Sequence, residues 1–123
     1  MAVRLAQAQV ATRVEFRVEV ARERDGVRII PVGEVDPATV GRVRASLDEA
    51  IAGGARHVVL DLRKTTFLDS SGLHLAIDAA DEALMGGTEF AIIAGPPVVH
   101  RTFELAELSD RLPFVEVPRA GHG

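Results

Sequence analysis

The stretch HVVLDLRKTTFLDSSGLHLAIDAADEAL, residues 57–84, joins two periodicities through one short polar segment. Its first part, HVVLDL (57–62), is a near-continuous apolar run, the pattern of a strand covered on both faces. Its last part repeats apolar residues at helical spacing. Leu73, Ala76, Ile77, Ala80 and Leu84 make a stripe, while Asp78, Asp81 and Glu82 fall on other faces. Between them, FLDSSGLH (67–74) sets an acid, two hydroxyls and a glycine. In α/β sheets, function gathers where strand C-termini feed helix N-termini, and this segment is such a junction. Phe67 or Leu68 can plug the core while Asp69 and Ser70 turn outward. Asp69 or Ser70 can cap the helix, and Gly72 leaves room for a close backbone approach in its first turn. A cap needs one such side chain, so the second hydroxyl asks for another explanation.

Working outward, EFRVEVARE (15–23) alternates Phe16, Val18 and Val20 against Glu15, Arg17 and Glu19, the period of a strand with one wet face. Arg24-Asp25-Gly26 turns the chain, and VRIIPV (27–32) follows as the second arm of a hairpin. GEVDPATV (33–40) then opens a helix, with Asp36 as N-cap and Pro37 at the first helical position. Val40, Val43, Leu47, Ala50 and Ile51 form its apolar face, and Gly53-Gly54 ends it. Beyond the second helix, which Gly86-Gly87 stops, EFAIIAG (89–95) is a further buried strand. Pro96-Pro97 opens a third helix to about Glu107, with Val99, Phe103 and Ala106 on one side, and FVEV (114–117) closes as a short strand. The predicted order is β-β-α-β-α-β-α-β. Such alternation implies right-handed crossovers and parallel central strands, so the expected fold is a single α/β domain over 14–118. Its mixed sheet has four to five strands with helices mainly on one face. Residues 1–13 and 119–123 are expected to be flexible tails.

Composition narrows the function. The net charge is −4 and Lys64 is the only lysine, so no basic surface exists for nucleic acid. There is no cysteine, which removes disulfides and thiolate metal sites and fits a reducing cytoplasm. No apolar run approaches the ~18 residues of a membrane span, and MAVRLAQAQVATR lacks the apolar core of a signal peptide. His57, His100 and His122 match no metal-ligand spacing and read as solvated. The glycine pairs are helix ends, and no phosphate-binding loop is present.

VVLDLRKTTFLDSSGLHLAIDA (58–79) resembles the signature region of STAS domains, in particular of bacterial anti-sigma factor antagonists. VGEVDPATV (32–40) is similar to the family's Gly-Glu-Leu-Asp segment, with Val35 in place of Leu. PPVVHRTFELAELSDRLPFVEV (96–117) looks like its last helix and strand, with Arg101, Phe103, Leu105 and Leu108 in familiar places. The resemblance spans about residues 14–118. It implies that Ser70 is the residue phosphorylated by a partner that is both anti-sigma factor and serine kinase. Asp69, Asp36, Ser71, Gly72 and His74 would form its surroundings, and His74 is unusual after Gly-Leu. It further implies that the unphosphorylated form binds that partner and frees a sigma factor, that a serine phosphatase can restore it, and that the protein is cytoplasmic and carries no cofactor of its own.

Two other readings compete. Ser70 and His74 lie four apart and could share a helix face as a nucleophile and base. That pair lacks the Gly-x-Ser-x-Gly elbow, since position 69 is Asp, and Ser70 would have to cap and attack at once. No enzyme activity is therefore expected. A STAS module that is never phosphorylated, serving as a subunit of a transporter or stress-signalling complex, is the alternative that remains.

Overall fold

A computed structural model describes residues 15–116. The expected tails, residues 14, 117 and 118 at the domain edges, and His122 lie outside the described residues.

The alternating residues after Phe16 form β1 (Arg17–Arg22), which pairs antiparallel with β2 (Gly26–Val35) from Arg17↔Val32 to Arg22↔Val27. Glu23 and Gly26 close the turn between them with two backbone hydrogen bonds, 2.8 and 3.4 Å. There follow α1 (Val40–Ala52), β3 (His57–Asp61), β4 (Thr65–Leu68), α2 (Ser70–Gly86), β5 (Glu89–Ile93), α3 (Pro97–Leu105) and β6 (Phe114–Val115). The sheet runs β1-β2-β3-β5-β6, with β4 also on β2, and every pair except β1–β2 is parallel.

The mixed α/β architecture is the expected one, with six strands rather than four or five. The added strand is β4. After β3 the chain turns, Thr65 N donating to Leu62 O at 3.0 Å, and re-enters the sheet beside the far half of β2. Thr65 is fully buried, and its hydroxyl donates to Pro31 O at 3.1 Å. Four residues beginning Thr-Thr carry no apolar period, which is why this strand is not visible in the sequence. The 10-residue β2 holds β3 along 26–29 and β4 along 33–35. Gly33 sits at the changeover with φ +112° and a register shift after it, a conformation that favours glycine.

One parity of strand residues, including Val27, Ile29, Val58, Leu60 and Ile92, meets the inner faces of all three helices in a single core. Val43 and Leu47 come from α1, Leu75, Ala76 and Ala79 from α2, and Val99 and Phe103 from α3. The stripe expected on α2 is rotated by about one residue. Gly72, Leu75, Ala76, Ala79 and Ala83 point inward, and Leu84 is 79% exposed. Small side chains let α2 lie close against its neighbours, and a leucine in the place of Ala83 would hold it off. Ala106 is likewise exposed, because α3 ends at Leu105 and Ala106 only caps it. His100 is not solvated as expected. It is half-buried and packs edge-on against the Phe114 ring, with centroids 4.8 Å apart. No helix among the described residues is long and apolar enough to cross a membrane.

The opposite sheet face carries Asp61, which is only 3% exposed. Burial pushes its carboxyl up. Arg63 more than offsets this with bonds from its backbone N–H (3.0 Å), Nε (2.9 Å) and terminal nitrogen (2.6 Å), assisted by the Arg28 charge at 3.8 Å. The carboxyl therefore titrates below its usual 3.8. A lowered folded value means stability that is present above about 3.8 and lost as pH falls through the folded value. Wild type is expected to lose more melting temperature than Asp61→Asn between about pH 5 and pH 2 in scanning calorimetry. Parallel curves for the two proteins would show that the pair carries no pH-linked stability.

Candidate functional site

Two chain segments leave the same end of the sheet side by side. Val35 ends β2 and Leu68 ends β4, and they are register partners, about 4.8 Å apart as neighbouring strands are. The next residues are Asp36 and Asp69. The pairing of β4 with β2 thus brings together two acids 33 positions apart in sequence, and Ser70 follows directly.

Asp69 is the N-cap of α2, extended at φ −107°, ψ −166°, and its carboxylate accepts from Ser71 N at 2.9 Å. The Ser71 hydroxyl donates to the same oxygen. The Asp69 carbonyl accepts from Gly72 N and Leu73 N at 3.0 and 3.2 Å, and the Asp69 N–H donates to Val35 O at 3.2 Å. The cap is therefore tied to the end of β2. Ser71 is half-buried and held. Ser70 is exposed, and among the described residues nothing hydrogen-bonds its hydroxyl. The two hydroxyls have separate fates: Ser71 completes the cap, and Ser70 is displayed on the first helical residue.

Gly72 is required by a close approach, to a side chain rather than to backbone. A Cβ there would lie 2.5 Å from Leu68 Cγ and 2.9 Å from its Cδ1. Leu68 is 4% exposed, so it is the residue that plugs the core, and Phe67 stays 46% exposed.

Asp36 stands one turn before the helix it was expected to cap. Thr39 is the N-cap of α1, and Val40 is its first residue. Asp36 still does a cap's work on the preceding turn, its carboxylate accepting from Ala38 N and Thr39 N at 2.9 and 3.1 Å. Thr39 answers by accepting from Asp36 N at 3.0 Å and donating to Glu34 O at 2.7 Å. This residue was missed, although reciprocal bonding three residues apart is the logic of a capping box. Thr102 was missed too. Its hydroxyl donates to Leu68 O at 3.1 Å and pins α3 to the end of β4, a contact across 34 positions with no local signal. The elements that meet here carry exposed apolar side chains: Phe67 on β4, and Val98 and Leu105, 64% and 74% exposed and on either side of Thr102 on α3.

His74 is exposed one turn beyond Ser70 on α2. Among the described residues no hydrogen bond joins it to Ser70, no carboxylate lies within ion-pair distance of it, and no group of three metal-ligating side chains exists. His57 is exposed and faces Glu89 at 3.3 Å.

The STAS domain profile matches residues 20–118, a span that contains both acids and both serines. The anti-sigma F factor antagonist of Paenibacillus polymyxa is 32% identical over 105 residues, covering 84% of this chain and 89% of that protein. An anti-sigma factor antagonist from Mycobacterium paratuberculosis has a similar fold, with TM-score 0.74 at 23% identity over 88% of this chain and 90% of that one. So does the antagonist SpoIIAA in its unphosphorylated form, with TM-score 0.69 at 24% identity over 88% and 92%. With its strand order, its capped serine junction and this match across most of its length, the chain belongs to the STAS domain family.

Proposed function

We propose that this protein is an anti-sigma factor antagonist. Its unphosphorylated form binds a kinase-type anti-sigma factor in the cytoplasm and so releases a sigma factor, and phosphorylation of Ser70 ends that binding. The observation that carries this reading is the unequal fate of the two serine hydroxyls. A cap alone accounts for Asp69 and Ser71. It leaves Ser70 exposed at the helix start beside apolar side chains suited to a protein surface. The curated relative named an anti-sigma F factor antagonist supports the same partner class.

In this reading the protein is a substrate and a binder, not an enzyme. The partner supplies ATP, magnesium and the base. The Ser70 Oγ–phosphorus bond forms as the bond from the γ-phosphorus to the bridging oxygen of ATP breaks. ADP leaves, and the hydroxyl proton passes to the partner's base. A phosphatase reverses the change by hydrolysis, releasing inorganic phosphate. Incubation with a kinase-type anti-sigma factor and ATP is expected to add one phosphate, mapped by mass spectrometry to Ser70 and lost in Ser70→Ala. Phosphate appearing without the kinase, or on Ser71 in wild type, would refute the assignment.

A further inference from the structure

We infer that His74 is the residue that holds the phosphate once Ser70 carries it, an inference that rests on the phosphorylation of Ser70 proposed above. The exposed row of α2 reads Ser70, His74, Asp78, each one turn from the next. Residues four apart on a helix have Cβ atoms about 5–6 Å apart, a span that a phosphoserine and an imidazole bridge. Direction matters as well as spacing. Helical side chains lean toward the N-terminus, so His74 lies over the turn that starts at Ser70. Asp78 would lean toward His74 by the same rule, but Arg44 of α1 engages its carboxylate at 3.0 Å. The charged neighbours on the Ser70 side are Asp69 and Asp36, and their carboxylates already accept backbone N–H groups. Both acids repel a phosphate. His74 is the one group on this row that can donate a hydrogen bond to it, and a charge-assisted bond is about twice as strong as a neutral one. Without His74 the only favourable partner on offer is the weak field of the helix N-terminus, opposed by the two acids. With His74 it is held along α2.

The test separates this role from the kinase assignment by installing phosphoserine at position 70 during synthesis, so that no kinase is needed. The second ionisation of phosphoserine, ordinarily near pH 6, is followed by ³¹P NMR. A donor that favours the dianion lowers this midpoint. The wild-type midpoint is expected to lie about 0.5 pH unit below that of His74→Ala, which has no side-chain donor, a three-fold difference in the ionisation constant, and His74→Arg is expected to restore the low value. The acids and the helix terminus are common to all three proteins, so they cancel in the comparison. Equal midpoints for wild type and His74→Ala, with both proteins folded by their melting curves, would overturn the role of His74 and leave Ser70 as a kinase substrate intact. Failure of the kinase to label Ser70, with unequal midpoints here, would do the reverse.

Discussion

Ser70→Asp is expected to bind a kinase-type anti-sigma factor at least about tenfold more weakly than wild type, while its melting temperature stays unchanged. Inside the folded domain the added charge meets opposing effects. The N-terminus of α2 favours an anion by about 0.3–1 kcal/mol at an exposed position, while Asp69 and Asp36 repel it. The Ser70 hydroxyl is exposed and hydrogen-bonded to nothing among the described residues, so its replacement breaks no side-chain hydrogen bond. At the interface the balance differs. A charge pressed against a surface shaped for a small hydroxyl must lose its water, and uncompensated burial of that kind costs about 2–5 kcal/mol. Tenfold in affinity needs about 1.4 kcal/mol, so a single carboxylate suffices, and a phosphate with its −1.5 to −2 charge at pH 7 goes further. Ser70→Ala is expected to keep binding and to resist the off-switch. Ser71→Ala is expected to lose the hydroxyl bond to Asp69, keep the backbone one, and still be phosphorylated at Ser70. Titration calorimetry on these variants and on the phosphoprotein decides the matter. Equal affinity of phosphorylated and unphosphorylated protein, at unchanged stability, would remove Ser70 as the switch.

Phe103→Ala is expected to lower stability by about 3–5 kcal/mol, the usual range for removing a buried phenyl ring. For a domain of this size that is a fall of about 10–20 °C in melting temperature, out of a total stability of about 5–15 kcal/mol. Phe103 has no exposed surface and packs edge-on against Phe114, with centroids 5.1 Å apart. The loss reaches the site, because α3 is the helix whose Thr102 holds Leu68 O at the end of β4. Phe103→Leu keeps most of the volume and is expected to lose less than half as much. Calorimetric scans of both variants provide the check. A Phe103→Ala protein melting within a few degrees of wild type would show that α3 is held by something other than its buried ring.

The hairpin, the three helices and the buried strands β3 and β5 were legible in the sequence, because each is a run long enough to show its period against the turn residues that bound it. The placement of Ser70 at a helix start was legible for the same reason: Asp69 caps α2 through a contact only two residues long. What tertiary structure decided lies at longer range. β4 exists because β2 is long enough to take a second parallel partner at the register shift by Gly33, and its Thr-Thr-Phe-Leu has no period of its own to announce it. The inward face of α2 shifted from Leu84 to Ala83 because close packing, not hydrophobicity, chose which residues could sit there. Asp36 and Asp69 became neighbours only through the Val35–Leu68 register, and Thr102 reached Leu68 only across the core. Local chemistry, written in short spacings, determined which serine could be displayed. The pairing of distant strands, which no local spacing records, determined what stands beside it.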